Sequence, residues 1–91
     1  MGHKSEISWT RKTEDGQKVH VFAHHSGKEW HFQLRERRFD EWQVVESPLL
    51  VDWLELLDGI RRRIPRRLIK PEEEPRLIHH IKELFPGADC G

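Results

Sequence analysis

The sequence predicts an α+β domain in which an antiparallel meander of three or four strands precedes two helices, β-β-β-(β)-α-α, that pack on one face of the sheet. Short segments of alternating polarity fill the first half of the chain, and apolar residues recur every three or four positions in the second half. Glycine and proline separate these segments. We expect a single domain over residues 7–86 with flexible ends at 1–6 and 87–91, because 91 residues hold only one core.

The first two predicted strands are joined by a tight turn. Residues 7–12 alternate weakly in polarity, and residues 18–24 alternate clearly. Gly16 stands where a type I turn followed by a bulge requires a positive φ, and a loop of this kind pairs Thr13 with Gln17. The same register predicts three further pairs: Ile7 with Ala23, Trp9 with Val21, and Arg11 with Val19.

The second and third strands are predicted to pair around a two-residue loop at Ser26 and Gly27. The third strand then runs over residues 29–35. This loop sets small aliphatic side chains opposite large apolar ones, a match that a slip of one residue would destroy. The predicted pairs are Ala23 with Trp30, Val21 with Phe32, and Val19 with Leu34. On the other face, Phe22 is predicted to lie opposite His31.

A short fourth strand and a first helix are expected next. Residues 41–45 predict a strand, with a helical turn as the alternative. Ser47 and Pro48 are typical of an N-cap and a first helical residue. The helical period then continues to Arg63, and Pro65 ends it. The expected core stripe consists of Leu49, Trp53, Leu56, Leu57, Ile60 and Ile64.

A second helix is predicted to start no earlier than about Pro71 and to stop before Pro86. Pro75 fits only within its first turn. Of the two adjacent histidines, we expect His79 rather than His80 to border the core. The expected apolar stripe consists of Leu77, Ile78, Ile81, Leu84 and Phe85.

Composition limits the classes of function. Sixteen basic and sixteen acidic residues cancel, so no global field draws the chain to nucleic acid. The single cysteine, Cys90, cannot form an internal disulfide, which favours a reducing cytoplasmic location. No apolar run reaches about 18 residues, so we expect no membrane span. A glycine-rich phosphate loop and a nucleophile elbow are both missing, which favours a non-enzymatic protein without a cofactor.

One segment departs from this charge balance. Residues 61–70 hold six basic and no acidic side chains. The arginine fork matches phosphate oxygens, so the segment predicts contact with nucleic-acid phosphates. Alternatively, the first three arginines compensate the negative end of the helix, while Arg66 and Arg67 pair with residues 72–74 or with Asp58. The six residues are Arg61, Arg62, Arg63, Arg66, Arg67 and Lys70.

The predicted polar face of the sheet carries aromatic and basic side chains. It is interpreted as a solvated face, as a surface for another protein or a second copy, or as a surface that stacks on nucleic-acid bases. The residues expected to make such contacts are His20, Phe22, His31 and Arg35. His24 and His31 can meet at one metal ion with Glu29 or His25 nearby, but their spacing matches no zinc pattern, and we assign no metal site.

Two functional hypotheses of different classes therefore follow. The first is a small binding module that contacts nucleic acid through segment 61–70. The second is a protein-interaction or self-associating domain that uses the exposed face of the sheet.

Overall fold

The computed structural model describes residues 6–26, 29–37 and 40–90. Four strands pair in sequence order, each antiparallel to the next, and two helices follow. The predicted α+β meander is confirmed, and of the three or four strands predicted the structure has four. The elements are β1 (Glu6–Lys12), β2 (Lys18–Ser26), β3 (Glu29–Arg35), β4 (Gln43–Val45), α1 (Leu50–Arg63) and α2 (Glu73–Leu84). The chain divides into two compact units, a strand unit that ends at Pro48 and a helical unit that begins at Leu49.

The β1–β2 hairpin has the predicted turn and register. The N–H of Thr13 donates to the carbonyl of Gln17 (2.8 Å), and the N–H of Gly16 donates to the carbonyl of Thr13 (2.9 Å). Gly16 has a φ of 86°, which glycine adopts without the steric penalty of a side chain. All three predicted strand pairs are present: Ile7 with Ala23, Trp9 with Val21, and Arg11 with Val19.

The predicted register of β2 and β3 is wrong by two residues. The hairpin closes at Ser26 and Glu29, so its loop consists of residues 27–28, which lie outside the described residues. Side chains alternate along a strand with a period of two, so this shift leaves every side chain on its predicted face. The observed pairs are Val21 with Leu34, Ala23 with Phe32, and His25 with Trp30.

One face of the sheet is buried. Its core side chains are at most 4% exposed: Ile7, Val19, Val21, Ala23 and Phe32. The short strand β4 completes the sheet by pairing Phe32 with Val45, Gln33 with Val44, and Leu34 with Gln43. The strand predicted within residues 41–45 is therefore confirmed, over three of those residues.

Helix α1 begins two residues later than predicted. Leu49 is the N-cap, with an extended backbone (φ −70°, ψ 154°) and no side-chain capping bond, so the prediction of Ser47 as N-cap and Pro48 as first helical residue is wrong. The carbonyl of Leu49 accepts the N–H groups of Asp52 and Trp53. Leu49 itself is 57% exposed and lies outside the core stripe. The buried residues of the stripe are Trp53, Leu56, Leu57 and Ile60.

Helix α2 contains Pro75 in its first turn and ends before Pro86, as predicted. Leu77 and Ile81 are buried, but Leu84 is 50% exposed, contrary to the predicted stripe. The assignment of His79 to the core border is also wrong. The ring of His80 lies 5.1 Å from that of Trp53, while the exposed His79 pairs with Glu83.

His80 takes this place because at 100° per residue it lies closer than His79 to the face shared by Leu77 and Ile81. In the described part of the chain, neither helix combines the length and apolar composition that crossing a membrane requires.

Candidate functional site

The structure divides the six basic residues of segment 61–70 into two sets of three. The first set lies in the last turn of α1, and each of its members has an acceptor. Arg61 Nε lies 2.7 Å from Glu74 Oε2, and its Nη2 donates to the carbonyl of Cys90 at 2.7 Å. Arg62 Nη2 lies 2.7 Å from Asp58 Oδ2. Arg63 Nη1 donates to the carbonyl of Gly59 at 3.1 Å.

These contacts give three of the six basic residues of segment 61–70 a role in the fold. Arg63 donates to a carbonyl one turn back along α1, and its charge at the C-terminal end of the helix opposes the negative end of the helix dipole. Arg61 joins α1 to α2 and to the buried Cys90 near the end of the chain. The expectation that Arg66 and Arg67 pair with residues 72–74 or with Asp58 is wrong, since two of those carboxylates pair with Arg61 and Arg62 instead.

The second set belongs to the connection between the helices, which we name the basic turn (residues 64–71). Its backbone reverses direction through two hydrogen bonds, from Leu68 N–H to the Arg63 carbonyl (3.1 Å) and from Arg67 N–H to the Ile64 carbonyl (2.9 Å). This pair of bonds defines a Schellman motif. Arg67 occupies its left-handed position with a φ of 62°, where glycine is the usual residue.

The basic turn presents its cations to solvent. Arg66, Arg67 and Lys70 are all exposed, and none has an ion-pair partner within residues 6–26, 29–37 and 40–90. Arg67 and Lys70 line an open depression of about 580 Å³, together with apolar side chains that include Leu68, which is 64% exposed. The turn therefore offers three exposed cations that no described residue pairs, two of them at the depression, an arrangement suited to an anion.

The second candidate surface is the face of the sheet opposite its buried side chains. His20, Phe22, His31 and Arg35 lie on it together, as predicted from the alternation of side chains. The neighbours differ because of the shifted register. The prediction that Phe22 faces His31 is wrong, since Phe22 lies opposite Gln33. The other cross-strand pairs on this face are His20 with Arg35 and His24 with His31.

Four rings follow one another across this face, and we name them the aromatic row: Trp42, Phe22, His24 and His31. Successive ring centroids are 5.5, 5.8 and 5.4 Å apart. The guanidinium carbon of Arg35 lies 4.3 Å from the centroid of the Trp42 ring, a cation–π contact. The Nε of Arg35 and the Nδ1 of His24 are buried without a hydrogen-bond partner among the described residues.

Sequence reasoning missed Trp42 as a member of this surface. The residue precedes β4, and continuing the β3–β4 register by one position places it opposite Arg35. The polar alternation of residues 41–45 contains this signal, but it becomes usable only once the pairing of β4 with β3 is known.

Metal chemistry has no support in the described part of the chain, where no three side chains of histidine, cysteine, aspartate or glutamate are grouped around a possible ion position. His24 and His31 form a pair, and Glu29 Oε1 lies 4.0 Å from His31 Nε2. These residues give two imidazoles and a distant carboxylate, which is less than the three or four protein ligands of a zinc site.

Comparisons of the chain with protein-family models, with curated proteins and with solved structures found no significant match. The basic turn and the polar face of the sheet are therefore the two candidate sites of this chain.

Proposed function

We propose that this protein is a small binding module that contacts the phosphates of nucleic acid through Arg66, Arg67 and Lys70. The observation that carries the proposal is the division of the basic segment. Arg61, Arg62 and Arg63 are engaged by neighbouring acceptors, whereas the three cations of the basic turn are exposed and have no ion-pair partner in the described residues. A cytoplasmic location is part of this proposal, since a lone thiol stays reduced there.

The chemistry of the turn favours phosphate as the ligand. A guanidinium donates two parallel hydrogen bonds to phosphate oxygens, and the lysine ammonium adds a point charge. The left-handed conformation of Arg67 costs about 1 kcal/mol relative to glycine at the same position. Strained residues of this kind cluster at functional sites, and the side chain of Arg67 is exposed, which favours a role in binding over one in packing.

The number of available cations sets the expected salt dependence. Each phosphate neutralised on duplex DNA contributes about −0.9 to the slope of log K against log salt concentration. Three contacts therefore predict a slope of about −2.7, whereas participation of all six basic residues would give about −5.4. With three contacts, binding should be weak, in the range of non-specific association.

The test is fluorescence anisotropy with a labelled duplex over a series of salt concentrations. We expect binding at about 50 mM salt with the smaller slope, and loss of that binding in the variant Arg66→Ala/Arg67→Ala/Lys70→Ala. Arg76→Ala is a matched control, since Arg76 is an exposed arginine of α2 outside the turn. Absence of binding at about 50 mM salt, or equal binding by the triple variant, would overturn the proposal.

A second candidate function is a protein contact through the sheet face, with another protein or a second copy as the partner. The aromatic row favours this function, because tryptophan and arginine are enriched among the residues that contribute most to binding at protein interfaces. In this row the guanidinium of Arg35 stacks on the ring of Trp42. Substitution Trp42→Ala would then weaken the complex with the other protein or second copy and leave duplex binding unchanged. Loss of duplex binding in this variant would instead indicate that the sheet face contacts the nucleic acid.

A further inference from the structure

We infer that the free edge of β1 pairs with β1 of a second copy, joining two four-stranded sheets into one continuous sheet across a two-fold axis. This inference concerns a surface that neither candidate function uses. It rests on the position of β1, on the direction of its backbone groups and on the charges of its side chains.

Strand β1 is an edge of the sheet, and the described residues do not pair with its outer side. It is the first strand of the sheet, with β2 on one side only, and it extends over seven residues without proline. In the described residues no backbone hydrogen bond joins β1 to any element other than β2. The opposite edge, β4, is only three residues long. Long regular edge strands invite pairing with another chain, and short ones discourage it.

The turn determines which backbone groups of β1 point outward. Thr13 and Gln17 form a hydrogen-bonded pair. Hydrogen-bonded and non-hydrogen-bonded pairs alternate along an antiparallel ladder, so every second residue before Thr13 directs its N–H and C=O toward β2. Those residues are Ile7, Trp9 and Arg11. The outward groups therefore belong to the remaining four residues, Glu6, Ser8, Thr10 and Lys12.

An antiparallel pairing centred on Trp9 makes the two edges complementary. It places Glu6 opposite the partner's Lys12 and Ser8 opposite the partner's Thr10, and the two-fold axis repeats both pairs. All four residues are exposed, and each of these pairs brings outward backbone groups together, as a hydrogen-bonded pair requires. Opposite charges facing each other across two strands stabilise the pairing.

Other registers lose this complementarity. Sliding the partner by two residues preserves the hydrogen-bond alternation but places Glu6 opposite either Thr10 or Glu14 of the second copy. The centred register also relieves an unfavourable contact, because Lys12 lies opposite Lys18 within the chain. Trp9 does not obstruct the axis, since its ring lies 6.2 Å from that of Phe32 and therefore extends over the sheet.

The test is sedimentation equilibrium of the full chain from about 10 µM to about 1 mM, a range suited to the weak dimer that a single strand pairing supports. We expect Glu6→Lys to raise the dimer Kd about tenfold or more, because it creates a like-charge pair at both ends of the interface. The swapped variant Glu6→Lys/Lys12→Glu should restore the Kd to within about threefold of the original. Glu55→Lys carries the same charge change at an exposed position of α1, outside strand β1, and should leave the Kd unchanged.

Amide hydrogen exchange gives a second readout that does not depend on charge. The outward N–H groups of Ser8 and Thr10 should become protected as protein concentration rises, and Glu6→Lys should shift that protection to higher protein concentration. A chain that stays monomeric over the whole concentration range would overturn the inference. A dimer whose Kd is unchanged by Glu6→Lys alone, or one that dissociates on Trp42→Ala while Ser8 and Thr10 exchange freely, would overturn it as well.

Discussion

At the scale of single residues, Arg67 is the position where stability and the proposed function oppose each other. Its φ of 62° is unfavourable for a residue with a Cβ atom. We expect Arg67→Gly to raise the free energy of unfolding by about 1 kcal/mol, because glycine adopts this conformation without a clash. The same substitution removes one phosphate contact and should reduce the salt slope of duplex binding by about 0.9. Urea denaturation and anisotropy measure the two effects.

The matched control for this residue is Arg67→Ala. Alanine removes the same guanidinium but keeps the Cβ atom, so it should weaken duplex binding as glycine does without the gain in stability. Equal stability of the two variants would show that the backbone at this position carries no strain. Nothing in the local sequence indicates the left-handed conformation, since glycine and asparagine, the residues that favour it, are missing from segment 64–70.

At the scale of elements, Arg61 of α1 forms hydrogen bonds with α2 and with the backbone at Cys90. Its guanidinium bonds both Glu74 and the Cys90 carbonyl at 2.7 Å, and the side chains of the ion pair are only about one-third exposed. We expect Arg61→Met to lower the free energy of unfolding by about 1–2 kcal/mol, the range for charge-assisted bonds reduced by partial solvent screening. Thermal or urea unfolding measures this change.

Arg62→Met is the control for that prediction. The pair of Arg62 with Asp58 has the same 2.7 Å distance, but both side chains are more than 60% exposed and lie on one helix. Such a pair contributes about 0.5 kcal/mol or less. A cost for Arg62→Met as large as that for Arg61→Met would contradict the structural role assigned to Arg61.

The elements also show what sequence patterns can determine. The β1–β2 register follows from one glycine because the turn type allows a single closure. The β2–β3 register does not, since closures that differ by two residues bury the same faces, and apolar matching alone cannot separate them. The start of α1 also differs from the prediction. Ser47 and Pro48 are typical of a helix start, but the backbone of Leu49 is extended, so the helix begins at Leu50.

At the scale of the whole molecule, the predicted basic segment could be found from the sequence, but its division into two sets could not. Arg61 and Glu74 are separated by thirteen positions and meet only because α1 and α2 pack together. Local spacing indicates the pair of Asp58 with Arg62, which lies on one helix face. Which cations remain available to a ligand therefore depends on tertiary partners, and the sequence shows only their total.

Because the net charge of the chain is zero, two variants with the same total charge can show whether duplex binding depends on the position of the basic residues or on the total charge alone. The variant Arg66→Ala/Arg67→Ala/Lys70→Ala has a net charge of −3, and so does Lys18→Ala/Arg76→Ala/Lys82→Ala, which removes three exposed basic residues elsewhere. Long-range repulsion from nucleic acid is equal in the two variants, so any difference in affinity reports local contacts.

We expect the first of these variants to lose duplex binding at about 50 mM salt and the second to keep its Kd within about threefold of the unmodified chain. Anisotropy titrations of the three proteins under identical conditions measure this difference. Equal weakening in the two variants would mean that nucleic acid responds to the overall charge of the protein, and the basic turn would then have no special role in binding.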